Sequence, residues 1–468
     1  MSSLKDPEKV EPACNNKTHW PQWLASFTVS LAIVVSGLAN GWVSPYLARL
    51  TSDEADGDGE TLKLTDTEAS WVASILNLGR LVGAAVGVIC QEYTGRKRTL
   101  LLGGLPLASG WIFTICSTSV FWLYVSRFCS GIGSGMIWPA LSLYLGEIAD
   151  PSIRGALISL NVNVASIGAF LGNAMGPYLS MEMFAYVSLL PNILFIALFS
   201  LIPESPYHYL LRDDLDKAEA SLKWFRREQN VKAEMQELRD FVGNAASTNL
   251  LDKFKELCQY SNLRKITIMI CLNIFVYMTG YNVVNSYTEI IVTSSGVNLP
   301  ASVVVMGLGL SSVIAGATAV FAIDRLGRRL LLMCAGFGAF ISLALLGLHF
   351  HLLSIGYDPH HLTWLPILSL LAFNLFVNYG FVPMPGTLLG EIFPASLKTF
   401  LSFGFHSGNS LLAFTFTKTY QPFLDLVGQK YVFWTYALST FLSIPYVYYF
   451  IPETKGKSLL EIQKSIGK

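Results

Sequence analysis

The sequence predicts an all-α membrane protein in which twelve transmembrane helices form two six-helix bundles, the second a parallel repeat of the first, with a helical linker between them. Three observations predict it. Of 468 residues, 52% are hydrophobic and only 14% charged, and the mean hydropathy is +0.47; a soluble domain carries about 25% charged residues. Apolar stretches recur at the ~20-residue length that crosses a hydrocarbon core, and no Pro- or Ser-rich linker marks off soluble domains. Finally, short motifs of the first half return in order in the second. Soluble enzyme, disordered scaffold and nucleic-acid binder are excluded.

Taken in order, residues 1–22 form a polar tail without an apolar core ahead of a small-residue cleavage site, so the first span is expected to act as its own insertion signal. Spans are expected over roughly 23–47, 69–91, 99–119, 121–148, 155–178 and 183–203, an N-terminal bundle covering 23–203. The charged stretch 204–264 has helical periodicity (Leu215, Ala218, Leu222, Phe225) and is expected to lie as amphipathic helices against a membrane face. The second set is expected over roughly 265–292, 299–322, 330–352, 362–391, 398–421 and 430–451, a C-terminal bundle covering 265–451, followed by a tail over 452–468.

Thirty-two basic and thirty-two acidic residues cancel, so the distribution of charge matters more than its total. Arg96, Lys97 and Arg98 follow span 2, and Arg325, Arg328 and Arg329 surround the end of span 8. The linker and the last tail are also rich in Lys and Arg. By contrast, the loops after spans 3, 5, 7 and 9 have none, and the first of the opposite-side loops holds Asp53, Glu54, Asp56, Asp58 and Glu60. The positive-inside rule therefore places both termini and the linker in the cytosol. The seven cysteines include no C-x-x-C pair and read as free apolar fillers.

The repeat is carried by three signals. Gly95-Arg96-Lys97 follows span 2 as Gly327-Arg328-Arg329 follows span 8; Glu147-Ile148 closes span 4 as Glu391-Ile392 closes span 10; Pro203-Glu204-Ser205 follows span 6 as Pro452-Glu453-Thr454 follows span 12. Parallel repeats of this kind typify transporters that bind substrate near the midplane between two halves.

With these motifs the chain resembles the major facilitator superfamily, and within it the sugar porter family, over nearly its whole length. Further residues carrying the resemblance are Glu92-x-x-Gly95-Arg96-Lys97, Asp324-x-x-Gly327-Arg328-Arg329, Arg127-Phe128-x-x-Gly131-x-Gly133, Gly280-x-Asn282, Pro383-x-Pro385 and Glu391-Ile392-Phe393-Pro394. Gly41-Trp42-x-Ser44-Pro45 and Pro206-Tyr207 look more like the arthropod trehalose and hexose facilitators than the vertebrate ones. The resemblance implies a major-facilitator fold, facilitated transport of a sugar (trehalose- or hexose-like) by alternating access, a plasma-membrane location and function as a monomer. The expected partners are a small solute and the bilayer, with no nucleic acid. No nucleophile–base pair, phosphate loop or metal cluster stands out, so neither enzyme activity nor a cofactor is expected.

The resemblance further implies a cytosolic gate formed by Glu92, Arg96, Glu147, Arg154, Glu204, Asp324, Arg328, Glu391 and, less directly, Glu453. The alternative is that these charges merely anchor loops on the basic side. Gly79, Gly83 and Gly87 recur every four residues on span 2, a spacing that lets another helix approach closely. Arg80 interrupts that stripe about eleven residues from either end of its span, where insertion costs roughly 2.5–3.5 kcal/mol. It must face a wet cavity or a partner, as a substrate residue or as a buried anchor. His349, His351, His360 and His361 flank the loop after span 9 and read as interfacial residues rather than metal ligands. Glu289 reads as a hydrated rim residue, and span 1 has no Asp or Glu. Proton-coupled sugar porters typically place a carboxylate there, so passive transport is expected.

The sugar-binding set of the family is largely replaced. Val162 stands where span 5 normally has Gln; Val276 and Tyr277 replace the Gln pair of span 7; Ser312 replaces Asn on span 8; Gly386 replaces Trp on span 10; Ser407 and Gly408 replace Asn-Trp on span 11. The candidate substrate residues are Asn282, Tyr277, Thr279, Tyr287, Asn161, Ser312, Ser407 and Arg80, any single Asn in such a span being more often a helix–helix hydrogen-bond partner than a ligand. Span 7 is expected to break near Thr279-Gly280. Two other readings remain open at this point: a transporter of the same fold for another small solute, and a non-transporting nutrient sensor.

Overall fold

The computed structural model describes residues 18–52, 62–246, 256–357, 362–393, 395–453 and 455. Secondary structure among them is helical throughout. The first half consists of span 1 (Trp20–Gly41 continuing as Val43–Thr51), span 2 (Asp66–Thr94), span 3 (Arg96–Ile115), span 4 (Val120–Ile148), span 5 (Arg154–Met175) and span 6 (Met181–Ser200). Three linker helices follow, Pro206–Leu210, Leu215–Arg226 and Lys232–Ala246. The second half consists of span 7 (Tyr260–Met278 and Tyr281–Ser294), span 8 (Ala301–Leu326), span 9 (Arg328–Ser354), span 10 (Trp364–Tyr379 and Met384–Ile392), span 11 (Ala395–Val427) and span 12 (Gln429–Phe450).

Among the described residues, ten of these are long and apolar enough to cross a bilayer by composition alone. Spans 11 and 12 complete the set; the first carries Lys418 and Asp425 and the second is rich in tyrosine, which lowers their hydropathy. Large apolar side chains such as Ile89, Leu190, Ile193, Phe321, Phe337 and Leu438 point outward and exposed. In water so much apolar surface would drive association; against lipid it is the matching surface.

The local chemistry accounts for the helix ends. Span 2 starts in a capping box, the Thr65 hydroxyl accepting the Glu68 N–H at 3.3 Å and the Glu68 carboxylate accepting the Thr65 N–H at 2.9 Å. The glycine stripe of span 2 packs on span 4: a Cβ on Gly79 would lie 3.0 Å from the Gly131 Cα, and one on Gly87 3.0 Å from the Met136 Cα. The bonds of the linker run to the first half. Gln22 on span 1 donates to the Phe225 carbonyl at 3.3 Å and accepts the Asp150 N–H at 2.8 Å, while Arg226 donates to the Ile148 carbonyl at 2.8 Å.

The two halves meet along span 2 with span 11 and span 5 with span 8. On the face opposite the linker, the terminal segment of span 1 also packs against Tyr281–Ser294 of span 7. Span 10, read as one helix over roughly 362–391, is divided between Tyr379 and Met384. Span 1 runs on through Trp42, whose backbone stays helical (φ −60°, ψ −34°), so that its end reaches span 7.

Candidate functional site

Two charge clusters on the linker face repeat each other. Gly95 (φ +99°) and Gly327 (φ +85°) end spans 2 and 8 in a conformation that L side chains rarely adopt. A Cβ there would lie 2.6 Å from Glu204 Oε2 and 2.9 Å from Glu453 Oε2. The turns thus leave room for a carboxylate arriving from the end of the same half. Glu204 accepts the Lys97 N–H at 2.8 Å, and Glu453 accepts the N–H groups of Arg328 and Arg329 at 3.1 Å. Each carboxylate caps the first turn of the following span, where unpaired N–H groups and the helix dipole favour negative charge.

Beside each cap lies an ion pair. Arg96 Nε is 3.0 Å from Glu147 Oε1, and the other Glu147 oxygen accepts the Ser205 hydroxyl. Arg328 reaches Glu391 Oε1 from Nη2 at 2.8 Å and from Nε at 3.2 Å. Each pair joins two spans of one half. Arg154 donates to its own loop at the Ala149 carbonyl, 3.4 Å away, and Glu92 is exposed at the end of span 2. The Asp324 side chain lies outside the described residues. Nearby on the linker, burial pushes His208 below the ordinary histidine range, although the Glu204 carboxylate works the other way.

At mid-depth the site is polar and contributed by both halves. Span 7 breaks at Gly280 (φ +77°), between Tyr260–Met278 and Tyr281–Ser294. Thr279 is fully buried and stabilises the break: its hydroxyl donates to the Val276 carbonyl at 2.7 Å and accepts the Tyr281 N–H at 3.3 Å. Tyr277 and Asn282 flank the break, with Tyr277 within electrostatic reach of Arg80 from the other half. Arg80 is held by two amide oxygens, Asn40 Oδ1 at 2.8 Å from Nη2 and Asn77 Oδ1 at 3.2 Å from Nη1. Behind Tyr277 lies a second polar cluster. Tyr281 donates to Asn378 Oδ1 at 3.3 Å, Asn378 to Asn374 Oδ1 at 2.9 Å, and Asn374 to the Ser312 hydroxyl at 2.7 Å.

The remaining candidates are placed differently. Asn161 is fully buried against span 1, donating to Ser26 Oγ at 2.8 Å and accepting from Ser30 at 3.1 Å, so its amide is occupied within the first half. Tyr287 packs on Tyr420 with ring centroids 4.7 Å apart and is buried. Ser407 Oγ and Asn163 Oδ1 are buried without a hydrogen-bond partner among the described residues, and a Cβ on Gly316 of span 8 would come within 2.7 Å of Asn163 Oδ1. His349, expected at the interface, is instead 1% exposed and bonded to the Ser295 carbonyl at 2.9 Å. His360 and His361 lie outside the described residues; no group of metal-ligating side chains occurs among the described ones.

Sequence reasoning did not single out Asn40 and Asn77 as partners of Arg80, although Asn77 stands three residues away on the same helix face. It also missed the contact between halves on the opposite face. Lys418 of span 11 donates to Ser70 Oγ of span 2 at 2.6 Å and lies 4.3 Å from the Trp71 ring centroid, and the Glu289 N–H donates to Ser44 Oγ at 3.0 Å. A lone Lys within an apolar span was the available signal.

Two six-helix halves with polar side chains at mid-depth define a membrane protein of the two-bundle class. The chain belongs to the family described as "Sugar (and other) transporter", whose model matches residues 24–465. Among known relatives it is similar to the facilitated trehalose transporter Tret1 of Drosophila mojavensis, 30% identical over 98% of this chain and 53% of that protein. The Anopheles gambiae counterpart is 31% identical over 98% of this chain and 58% of that protein. The chain thus spans about half the length of these curated relatives, whereas it covers 86% of the Culex quinquefasciatus Tret1, 31% identical. The fold matches the inward-open xylose transporter XylE from E. coli with a TM-score of 0.77, 19% identity and coverage of 95% of this chain and 99% of that one. This is the major facilitator fold, in a family of transporters rather than enzymes.

Proposed function

We propose that this chain is a facilitative carrier for a small polyhydroxylated solute, a trehalose- or hexose-like sugar, working by alternating access between a bundle over 23–203 and one over 265–451. The observation that carries the reading is the break in span 7, which brings Tyr277 and Asn282 of one half toward Arg80 of the other. A hydroxylated solute held there would contact both halves, and its hydroxyls match neutral amide and phenol groups that are both donors and acceptors. The family resemblance supports a sugar, as does the naming of the relatives as trehalose transporters.

The basic linker supports a cytosolic location for that face and both termini; the family resemblance supports a plasma membrane and one chain as the working unit. The Arg96–Glu147 and Arg328–Glu391 pairs, with Glu92, Arg154, Glu204 and Asp324 around them, serve as the cytosolic gate. Span 1 lacks a carboxylate, so transport runs down the solute gradient without a proton. A second reading, a different small solute on the same scaffold, is favoured by Val162, Val276 and Gly386 standing where the family has sugar-binding side chains.

Purified protein in liposomes, challenged with labelled trehalose and hexoses, tests the proposal. Uptake should equilibrate the solute without concentrating it, with or without an imposed proton gradient. Accumulation that collapses with an uncoupler would overturn the passive mechanism and make Glu289 the first residue to mutate. Absence of uptake for every sugar would leave the second reading.

A further inference from the structure

Arg80 is the middle residue of the 29-residue helix Asp66–Thr94, about 21 Å along the axis from either end at 1.5 Å per residue. Both of its hydrogen-bond partners among the described residues, Asn40 and Asn77, are neutral amides, and its Nε is buried with no acceptor among them. The Asn40 amide nitrogen donates back to the Ser36 carbonyl at 3.1 Å, which fixes its oxygen toward the guanidinium. A second guanidinium, Arg127, lies buried in the same half on the Ala39 carbonyl at 2.5 Å and over the Trp42 ring at 5.1 Å.

Among the described residues, no carboxylate is bonded to either guanidinium. Spans 1, 3, 5, 9 and 12 contain no Asp or Glu at all. The acids of the other spans stand near helix ends: Asp66, Glu68 and Glu92 on span 2, Glu147 on span 4, Glu182 on span 6, Asp324 on span 8, Glu391 on span 10 and Asp425 on span 11. Glu289 of span 7 is nine residues beyond the Gly280 break, roughly 14 Å along the helix. The membrane interior of the protein is therefore net positive. An unbalanced cation at that depth is costly unless something supplies the opposite charge.

We infer that the solute itself supplies it: the site takes a hydroxylated ring or chain bearing a carboxylate, a sugar acid of the hexuronate type, with the carboxylate on Arg80 and hydroxyls on Tyr277 and Asn282. A carboxylate accepts parallel N–H bonds from a guanidinium, and the exposed side of Arg80 is the one that carries Nη2. A neutral hexose would leave the charge unbalanced. The inference rests on the carrier reading above for the location of the site and narrows its substrate class. Passive movement of such an anion carries one negative charge across the membrane.

The test uses the full-length protein in liposomes with labelled glucuronate, its uncharged amide glucuronamide, and glucose. Glucuronate should be taken up at least about tenfold faster than glucuronamide at equal concentration, since the two differ in charge and hardly in shape. An inside-positive potential should speed its entry, and Arg80→Gln should abolish the preference while Arg80→Lys keeps part of it. The comparison of acid with amide on the wild-type protein needs no variant, so poor folding of Arg80→Gln does not blunt it. Equal rates for acid and amide, or uptake of glucose but not glucuronate, would overturn the inference while leaving the sugar-carrier reading standing. Uptake of none of the three would overturn the inference, and if labelled trehalose also failed to enter, the sugar-carrier reading with it.

Discussion

The Glu204 carboxylate accepts the backbone N–H of Lys97 at 2.8 Å, tying the end of the first bundle to the turn that opens span 3. Glu453 repeats the relation at the start of span 9, 3.1 Å from the N–H groups of both Arg328 and Arg329. Sequence motifs that read as separate, Gly-Arg-basic after spans 2 and 8 and Pro-Glu after spans 6 and 12, are two ends of one contact made twice. Each is a helix cap that ties the end of its bundle to the start of that bundle's third span.

That relation predicts which residues hold the bundles together. Gly95→Ala forces a side chain into a positive-φ position, roughly 1–2 kcal/mol, and drives its Cβ against the carboxylate. Glu204→Ala leaves charge-assisted bonds unmade, about 1.5–3 kcal/mol, and Glu204→Gln should fall between it and the native protein. Thermal unfolding of the purified protein in detergent would show the order. A Gly95→Ala variant as stable as the native chain would mean the glycine is not needed for the carboxylate's approach.

The neighbouring ion pairs predict a shift in conformational balance. Arg96→Ala, Glu147→Ala, Arg328→Ala and Glu391→Ala each strip a half-buried charge of its partner. Each should raise the accessibility of a reporter cysteine on the linker face to a membrane-impermeant reagent. In the first pair the double variant should be less than additive, because the two residues share one interaction. Unchanged accessibility and transport in all four would make these charges loop anchors.

Much of this was legible in the sequence because hydropathy and repeated motifs are carried by composition and spacing alone. The number of spans, the linker and the break at Gly280 all follow from such signals. Side-chain direction was not legible. Asn161 and Asn163 are two residues apart on span 5, roughly 200° around a helix, and nothing in the pattern says which faces span 1. The structure turns Asn161 to Ser26 and Ser30 and Asn163 toward span 8. Contacts between halves were out of reach for the same reason: the Lys418–Ser70 bond joins residues 348 positions apart, a pairing fixed by how the bundles dock rather than by local sequence.

Topology offers an independent check on the assignment of faces. With twelve spans and a basic linker side, tags at both termini should resist protease added outside intact cells, and a tag inserted at Asp56 should be cut. Opposite accessibility of the two ends would refute an even number of spans. Both ends accessible would invert the proposed orientation and place the ion pairs on the outer face.

The polar belt at mid-depth gives the sharpest prediction. Tyr277 and Asn282 stand on either side of the Gly280 break, where the turn fixes the backbone that carries both side chains. Such preorganisation means that truncation removes an interaction the solute would otherwise gain at little ordering cost. Asn282→Ala should raise the half-saturation concentration about fivefold to more than a hundredfold, the range for one well-made buried hydrogen bond of about 1–3 kcal/mol. Tyr277→Phe should cost less, because the aromatic face against the solute survives and only the hydroxyl is lost. Asn161→Ala is the contrasting control. Its amide is occupied by Ser26 and Ser30, so it should lower thermal stability with little change in apparent affinity for the transported solute. If Asn161→Ala shifted the half-saturation concentration as much as Asn282→Ala, the affinity effect would report bundle packing rather than solute contact. If Asn282→Ala left transport of every sugar unchanged while Arg80→Ala abolished transport of an unrelated charged solute, the belt would belong to a carrier of that solute instead.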